Sequence, residues 1–210
     1  MESIISREMK IHNLAVATSK KQKIVYTELK NWMQSRKNMK LSDLKAQSKY
    51  ILIKHAGELG SYENDAIIAA TSVDIPDGCG VIFRGSYVQK SLDDDRSDAI
   101  NDVIYSKSMI NAGTGAHAVL ARRISGKIST ILSNIVNNTV SSTISYYEKG
   151  GNREFYRDNQ KISIDISPKD GGYWKRVVDP GACDWCSDPS RNPFERHAGC
   201  KCGHIKVGCK

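Results

Sequence analysis

Residues 173–207 read YWKRVVDPGACDWCSDPSRNPFERHAGCKCGHIKV and hold four of the chain's six cysteines. Cys183-x-x-Cys186 is followed, after thirteen intervening residues, by Cys200-x-Cys202, with His197 three positions ahead of Cys200. Upstream of this stretch the only cysteine is Cys79. Cysteines buried for packing scatter through a core, so a cluster at these spacings asks for another explanation. A Cys-x-x-Cys turn aims two thiolates at one point, and a second turn brings the remaining donors, which is how a short segment closes around tetrahedral zinc. The candidate ligands are Cys183, Cys186, Cys200 and Cys202, with His197 able to replace either of the last pair and His204 and Cys209 as spare donors. A site with four such ligands has no open position and is structural rather than catalytic. The competing reading is a pair of disulfides, of which Cys183–Cys186 would be strained. The start, MESIISREMK, lacks the basic start and apolar block of a signal peptide, so a reducing interior is expected, and that favours metal.

Working outward, Ile162, Ile164 and Ile166 alternate along 160–168, a strand pattern. Asp170-Gly171-Gly172 reads as a turn and 173–178 as a second strand, so a β-hairpin leads into the cysteines. Upstream the apolar residues recur at helical spacing. Residues 2–38 read as helical with a break near Thr18-Ser19. Ser42 reads as the N-cap of a helix to about His55 that Gly57 or Gly60 ends, and 61–72 form a third, short helix. The segment 73–90, with Pro76, Gly78, Gly80 and Gly85, is a loop or a short extended piece. The acidic run 91–98 reads as the first turn of a helix over 96–111, where the helix dipole favours it. The longest helix covers 116–148, with Leu120, Ile124, Ile128, Ile131, Ile135, Val140, Ile144 and Tyr147 as its stripe. Its opposite face is rich in Ser, Thr and Asn, and Gly150-Gly151 closes it. The expected fold is mainly α with a small C-terminal α+β part: a helical region, 1–158, then a β-hairpin zinc-knuckle module, 159–210.

The net charge of +8 is unevenly spread. Residues 1–40 hold nine Lys and Arg against three Asp and Glu; 41–150 hold eleven against twelve; 151–210 hold eleven against eight. Basic ends on a neutral middle suit a polyanion or an acidic protein surface, or simply a solvated surface. No apolar run approaches the roughly 18 residues that a membrane span needs, so no membrane contact is expected. There is no Gly-x-Ser-x-Gly elbow, no His-Glu-x-x-His and no phosphate-binding loop. His117, beside glycines at a helix start, reads as structural, and Cys79 as a small buried apolar residue. No catalytic residue is assigned.

The stretch 173–207 resembles the C-terminal module of minor head proteins of tailed phages of Gram-positive hosts, a group akin to the phage Mu F-like head morphogenesis family. The shared pattern is an aromatic-x-Arg-Val strand, here Trp174, Arg176 and Val177, then Gly181, Ala182, Cys183 and Cys186, then Phe194, His197, Cys200 and Cys202. This chain has a short insert between its cysteine pairs, and Ala198 where members often carry proline. The resemblance implies a structural minor capsid protein acting in head morphogenesis. It would be made in the host cytoplasm and carried in the virion, in the head interior or at the portal vertex. Its partners would be the portal or the major capsid protein, and packaged DNA through the basic ends. Two rival readings stand beside it. Relatives often labelled capsid maturation protease imply an enzyme, for which no nucleophile is apparent here. A zinc-stabilised DNA-binding protein would use Lys175, Arg176, Arg191, Arg196, Lys201 and Lys206.

Overall fold

The computed structural model describes residues 3–36, 39–83, 114–179, 181–195 and 202–209, with the side chains at 114, 115 and 209 excepted. The acidic run 91–98 and the expected helix 96–111 lie outside these residues. The described chain is mainly helical, with small antiparallel sheets towards its C-terminal end. In order the elements are α1 (Ile4–Gln34), α2 (Leu41–Glu58), α3 (Gly60–Ala70), β1 (Gly80–Val81), α4 (Thr114–Glu148), β2 (Gly151–Arg157), β3 (Gln160–Ile166), β4 (Gly171–Val177), α5 (Asp184–Ser187) and β5 (Gly203–Cys209). The described residues group into two compact units, one drawn from within 1–17, 60–84 and 137–210, the other from within 18–59 and 85–136.

The expected break at Thr18-Ser19 does not occur, and α1 runs unbroken through it. Thr and Ser cost a helix only a few tenths of a kcal/mol each relative to better formers, and Thr18 is itself buried. Nor is Ser42 the cap of α2. Lys40 occupies that position in an extended conformation without a side-chain cap, and Ser42 lies inside the helix. Leu59 ends α2 by returning its N–H to the Ala56 and Gly57 carbonyls, and α3 starts at once.

In the second unit Val25, Leu29 and Met33 of α1, Leu44, Ile51 and Leu52 of α2, and Leu120, Ile124 and Ile128 of α4 are buried. His55 is 1% exposed there, its Nδ1 2.8 Å from Glu58 Oε2 and its Nε2 3.0 Å from Glu28 Oε2. Hydrogen bonds from Lys21 and then His55 hold the Glu58 carboxyl down at about 2. Burial pulls Glu28 upward, but hydrogen bonds from Lys54 and His55 outweigh it and keep it below the usual range.

The α4 stripe is buried as its spacing predicts, except that Val140 is only half-buried, while Thr139 and Thr143 join it inside. The Thr143 hydroxyl is satisfied within the helix by donating to the Thr139 carbonyl at 2.7 Å, so a polar residue on the inner face costs little. Ser125 does the same, donating to the Arg122 carbonyl from a buried position. The uncharged polar residues of α4 are therefore not confined to its outer face.

The first unit holds both sheets. The expected hairpin of 160–168 with 173–178 is not formed. Instead β3 pairs with β2, β2 also pairs with β1, and β4 pairs with β5. Asp158 and Asn159, at φ 49° and 62°, make the two-residue left-handed turn that twists β2 back onto β3. Gly150, at φ 64°, ends α4 where an added Cβ would lie 2.5 Å from the Pro168 ring, so only glycine fits. Tyr147 and Phe155, both fully buried, pack at 5.0 Å, and the Tyr147 hydroxyl accepts the Ile82 N–H and donates to the Glu154 carbonyl.

Within this unit the β4–β5 sheet is tied to the start of α1 and to α3. Arg7 donates to the Ala69 carbonyl at 2.7 Å, at the end of α3, and to the Lys206 carbonyl on β5 at 3.2 Å. Lys175 on β4 bonds Glu8 at 2.7 Å, and His12 faces Asp179 at 3.8 Å. Gly203 lies so close to α1 that an added Cβ would sit 2.0 Å from Ile11 Cγ2.

Candidate metal centre

The chain leaves β4 at Val177, turns with the Ala182 N–H on the Asp179 carbonyl at 2.8 Å, and enters the short α5 at Cys183. Cys183 stands at the N-cap, and the Cys186 and Ser187 N–H groups both return to its carbonyl, at 2.9 and 3.1 Å. The Cys-x-x-Cys spacing thus becomes one helical turn. Backbone N–H groups at the start of that turn, chiefly that of Cys186 and then that of Trp185, hold the Cys183 thiol below its ordinary value against the opposing effect of burial. A thiolate is the form that binds metal.

Cys186 and Cys202 are 3% and 2% exposed and share one buried cluster, with Ala182 and Trp185 packed against it. Cys202 comes to the cluster directly ahead of β5, whose pairing with β4 brings the second half of the motif back onto the first. Cys183 is exposed at the rim. His197 and Cys200 lie outside the described residues, so the described part of the predicted ligand set is Cys183, Cys186 and Cys202. Among the described residues no group of three His, Cys, Asp or Glu side chains forms a site that could hold a metal ion. The chemistry of the described donors fits zinc in two respects: Cys183, Cys186 and Cys202 are thiols, and the backbone N–H groups around Cys183 favour its thiolate form. The spare donor His204 is buried on β5 and stacks on Phe194 at 4.9 Å.

Two turns shape the loop between the cysteine pairs. Asp188 Oδ1 accepts from the Ser190 N–H at 2.9 Å and from its hydroxyl at 2.6 Å, and these two bonds keep the carboxyl below its usual value, the hydroxyl's contribution being the larger. Asn192 Oδ1 likewise accepts the Phe194 N–H at 2.9 Å. Such side-chain turns satisfy backbone donors without a sheet or helix. The Trp185 indole has the Arg176 guanidinium at 5.3 Å and that of Arg191 at 4.6 Å, and Trp174 meets Phe194 edge to face at 5.2 Å.

Spacing alone did not single out Arg176. From β4 it donates to four main-chain carbonyls of the loop: Cys186 at 3.3 Å, Asn192 at 2.6 Å, Pro193 at 3.3 Å and Glu195 at 2.9 Å. Backbone acceptors carry no side-chain signature, so no sequence signal announces this role. Of the other cations considered for DNA binding, Lys175 bonds Glu8, Arg191 faces Asp188 at 3.5 Å, and Lys206 faces Glu148 at 3.7 Å. Arg196 and Lys201 are outside the described residues.

Away from the cysteines, Cys79 is half-buried ahead of β1 rather than fully buried, its N–H on the Pro76 carbonyl at 3.0 Å. His117 is buried in α4. Among the described residues no helix is long and apolar enough to cross a membrane. No protein family, curated protein or solved structure matches the chain.

Proposed function

We propose that the chain is a structural minor head protein of a tailed phage, acting in head morphogenesis near the portal. Its C-terminal module would be closed by a structural zinc ion held by four of Cys183, Cys186, His197, Cys200 and Cys202. The observation that carries the zinc reading is the shared buried cluster of Cys186 and Cys202, reached from the two halves of the motif through α5 and β5. Zinc would supply a closed thiolate cross-link in a segment with little core of its own. The head-protein reading rests on the resemblance over 173–207.

Protein contact is favoured over DNA as the module's task. Each described cation of 173–207, namely Lys175, Arg176, Arg191 and Lys206, is engaged with a carboxylate or a carbonyl. Tyr173, Val178 and Phe194 stay exposed on it, and exposed aromatic and apolar residues are what protein interfaces recruit. Portal or major capsid protein is the proposed partner. The test is to read the genes that flank this chain's own, to co-express it with any portal and major capsid proteins they encode, and to blot purified particles. Incorporation into heads supports the reading; absence from heads, with no portal gene nearby, overturns it.

A further inference from the structure

We propose that Arg176 is the positioning residue of the cysteine site, holding residues 186–195 in one ordered arrangement before metal arrives. The inference rests on the zinc reading above. One guanidinium gathers carbonyls from the start of the loop and from within it. Its bond to the Cys186 carbonyl fixes the peptide that follows the buried thiol, and its bonds at Asn192, Pro193 and Glu195 fix the chain over 192–195. Arg176 also lies opposite His204 in the β4–β5 register, one pair from Gly203, which follows Cys202 directly. A single side chain on β4 therefore holds the peptide after Cys186, the stretch 192–195 and, through the strand register, the strand that follows Cys202 in one frame.

Only arginine suits this task. Four acceptors spread around one planar group match the rigid fork of a guanidinium, whereas a lysine ammonium has three donors on a point charge. The carbonyls would otherwise need water or other partners, and ordering the loop would then fall to the metal alone. Residues that orient metal ligands without touching the metal typically contribute about 10- to 100-fold in metal affinity.

The full chain, as wild type, R176K, R176A and R191A, is titrated with cobalt(II) and then with zinc against a chromophoric chelator. R176K is expected to fold, to lose about 10- to 100-fold in zinc affinity, and to shift the cobalt–thiolate bands. R191A loses only the contact with Trp185 and the Asp188 pair, and should stay within about threefold of wild type. Hydrogen exchange on metal-free protein should show residues 186–195 protected in wild type and open in R176K, a readout that needs no metal. Wild type that binds no metal through its thiolates sinks the zinc reading itself. Wild type that binds metal while R176K matches its affinity and bands overturns the role of Arg176. Equal losses in R176K and R191A overturn it too, since a generic effect at Trp185 would then suffice. Should R176A fail to fold, R176K and the exchange pattern still decide.

Discussion

Glu63 sits on α3 at 3% exposure, and burial pushes its carboxyl up to about 7 from an ordinary 4.5. A folded state that holds the proton more tightly than the unfolded chain gains stability from it at low pH. That gain is fully present below about pH 4.5, falls as pH rises, and is gone above about 7. At roughly 1.4 kcal/mol per pH unit, the swing is about 3 kcal/mol. Glu63→Gln keeps the shape and stays neutral throughout, so it should match wild type near pH 4.5 and be more stable by about 3 kcal/mol at pH 8, or roughly 6–12 °C in Tm for a chain of this length. Thermal unfolding followed by far-ultraviolet circular dichroism, with both proteins at each pH, isolates the effect because every other titrating group is shared. A difference below about 1 kcal/mol at pH 8, or one that does not shrink as pH falls, would refute the reasoning.

Other changes test the packing. Gly203→Ala should cost about 1–3 kcal/mol by forcing β5 off Ile11, and combining it with Ile11→Ala should cost at least about 1 kcal/mol less than the two singles together, as urea titration would show. In the β2–β3 turn, Asn159→Val should destabilise by about 1–2 kcal/mol because a branched residue resists positive φ, while Asn159→Gly should be tolerated to within about 0.5 kcal/mol; the same titration checks both.

The helices were legible because their apolar residues repeat at the helical period over many turns, as in Leu120, Ile124, Ile128 and Ile131. The interruption assigned to Thr18-Ser19 overrated two weakly unfavourable residues. Strand β2 was not legible, since of GNREFYR only Phe155 is buried, which leaves no alternation to see. Its one local signal was the Asp158-Asn159 turn, whose tolerance of positive φ points to a hairpin. The pairing of β4 with β5 has no local signature at all: the two strands pair directly across the whole cysteine loop, and β5 is further held by Arg7 and Ile11 on a distant helix. In the site, the turn at Cys183 and Cys186 followed from spacing, and so did the approach of Cys202. Arg176 did not, because its partners are all main-chain carbonyls.

On the proposed reading, thiolates from both cysteine pairs close the C-terminal module around one metal ion. Metal analysis of protein purified under reducing conditions, on wild type and on Cys183→Ser and Cys202→Ser, tests it most directly. The account predicts about one zinc per wild-type chain, bound through thiolates, and a marked loss in each variant. Wild type with no zinc, or variants that retain it fully, would contradict the account.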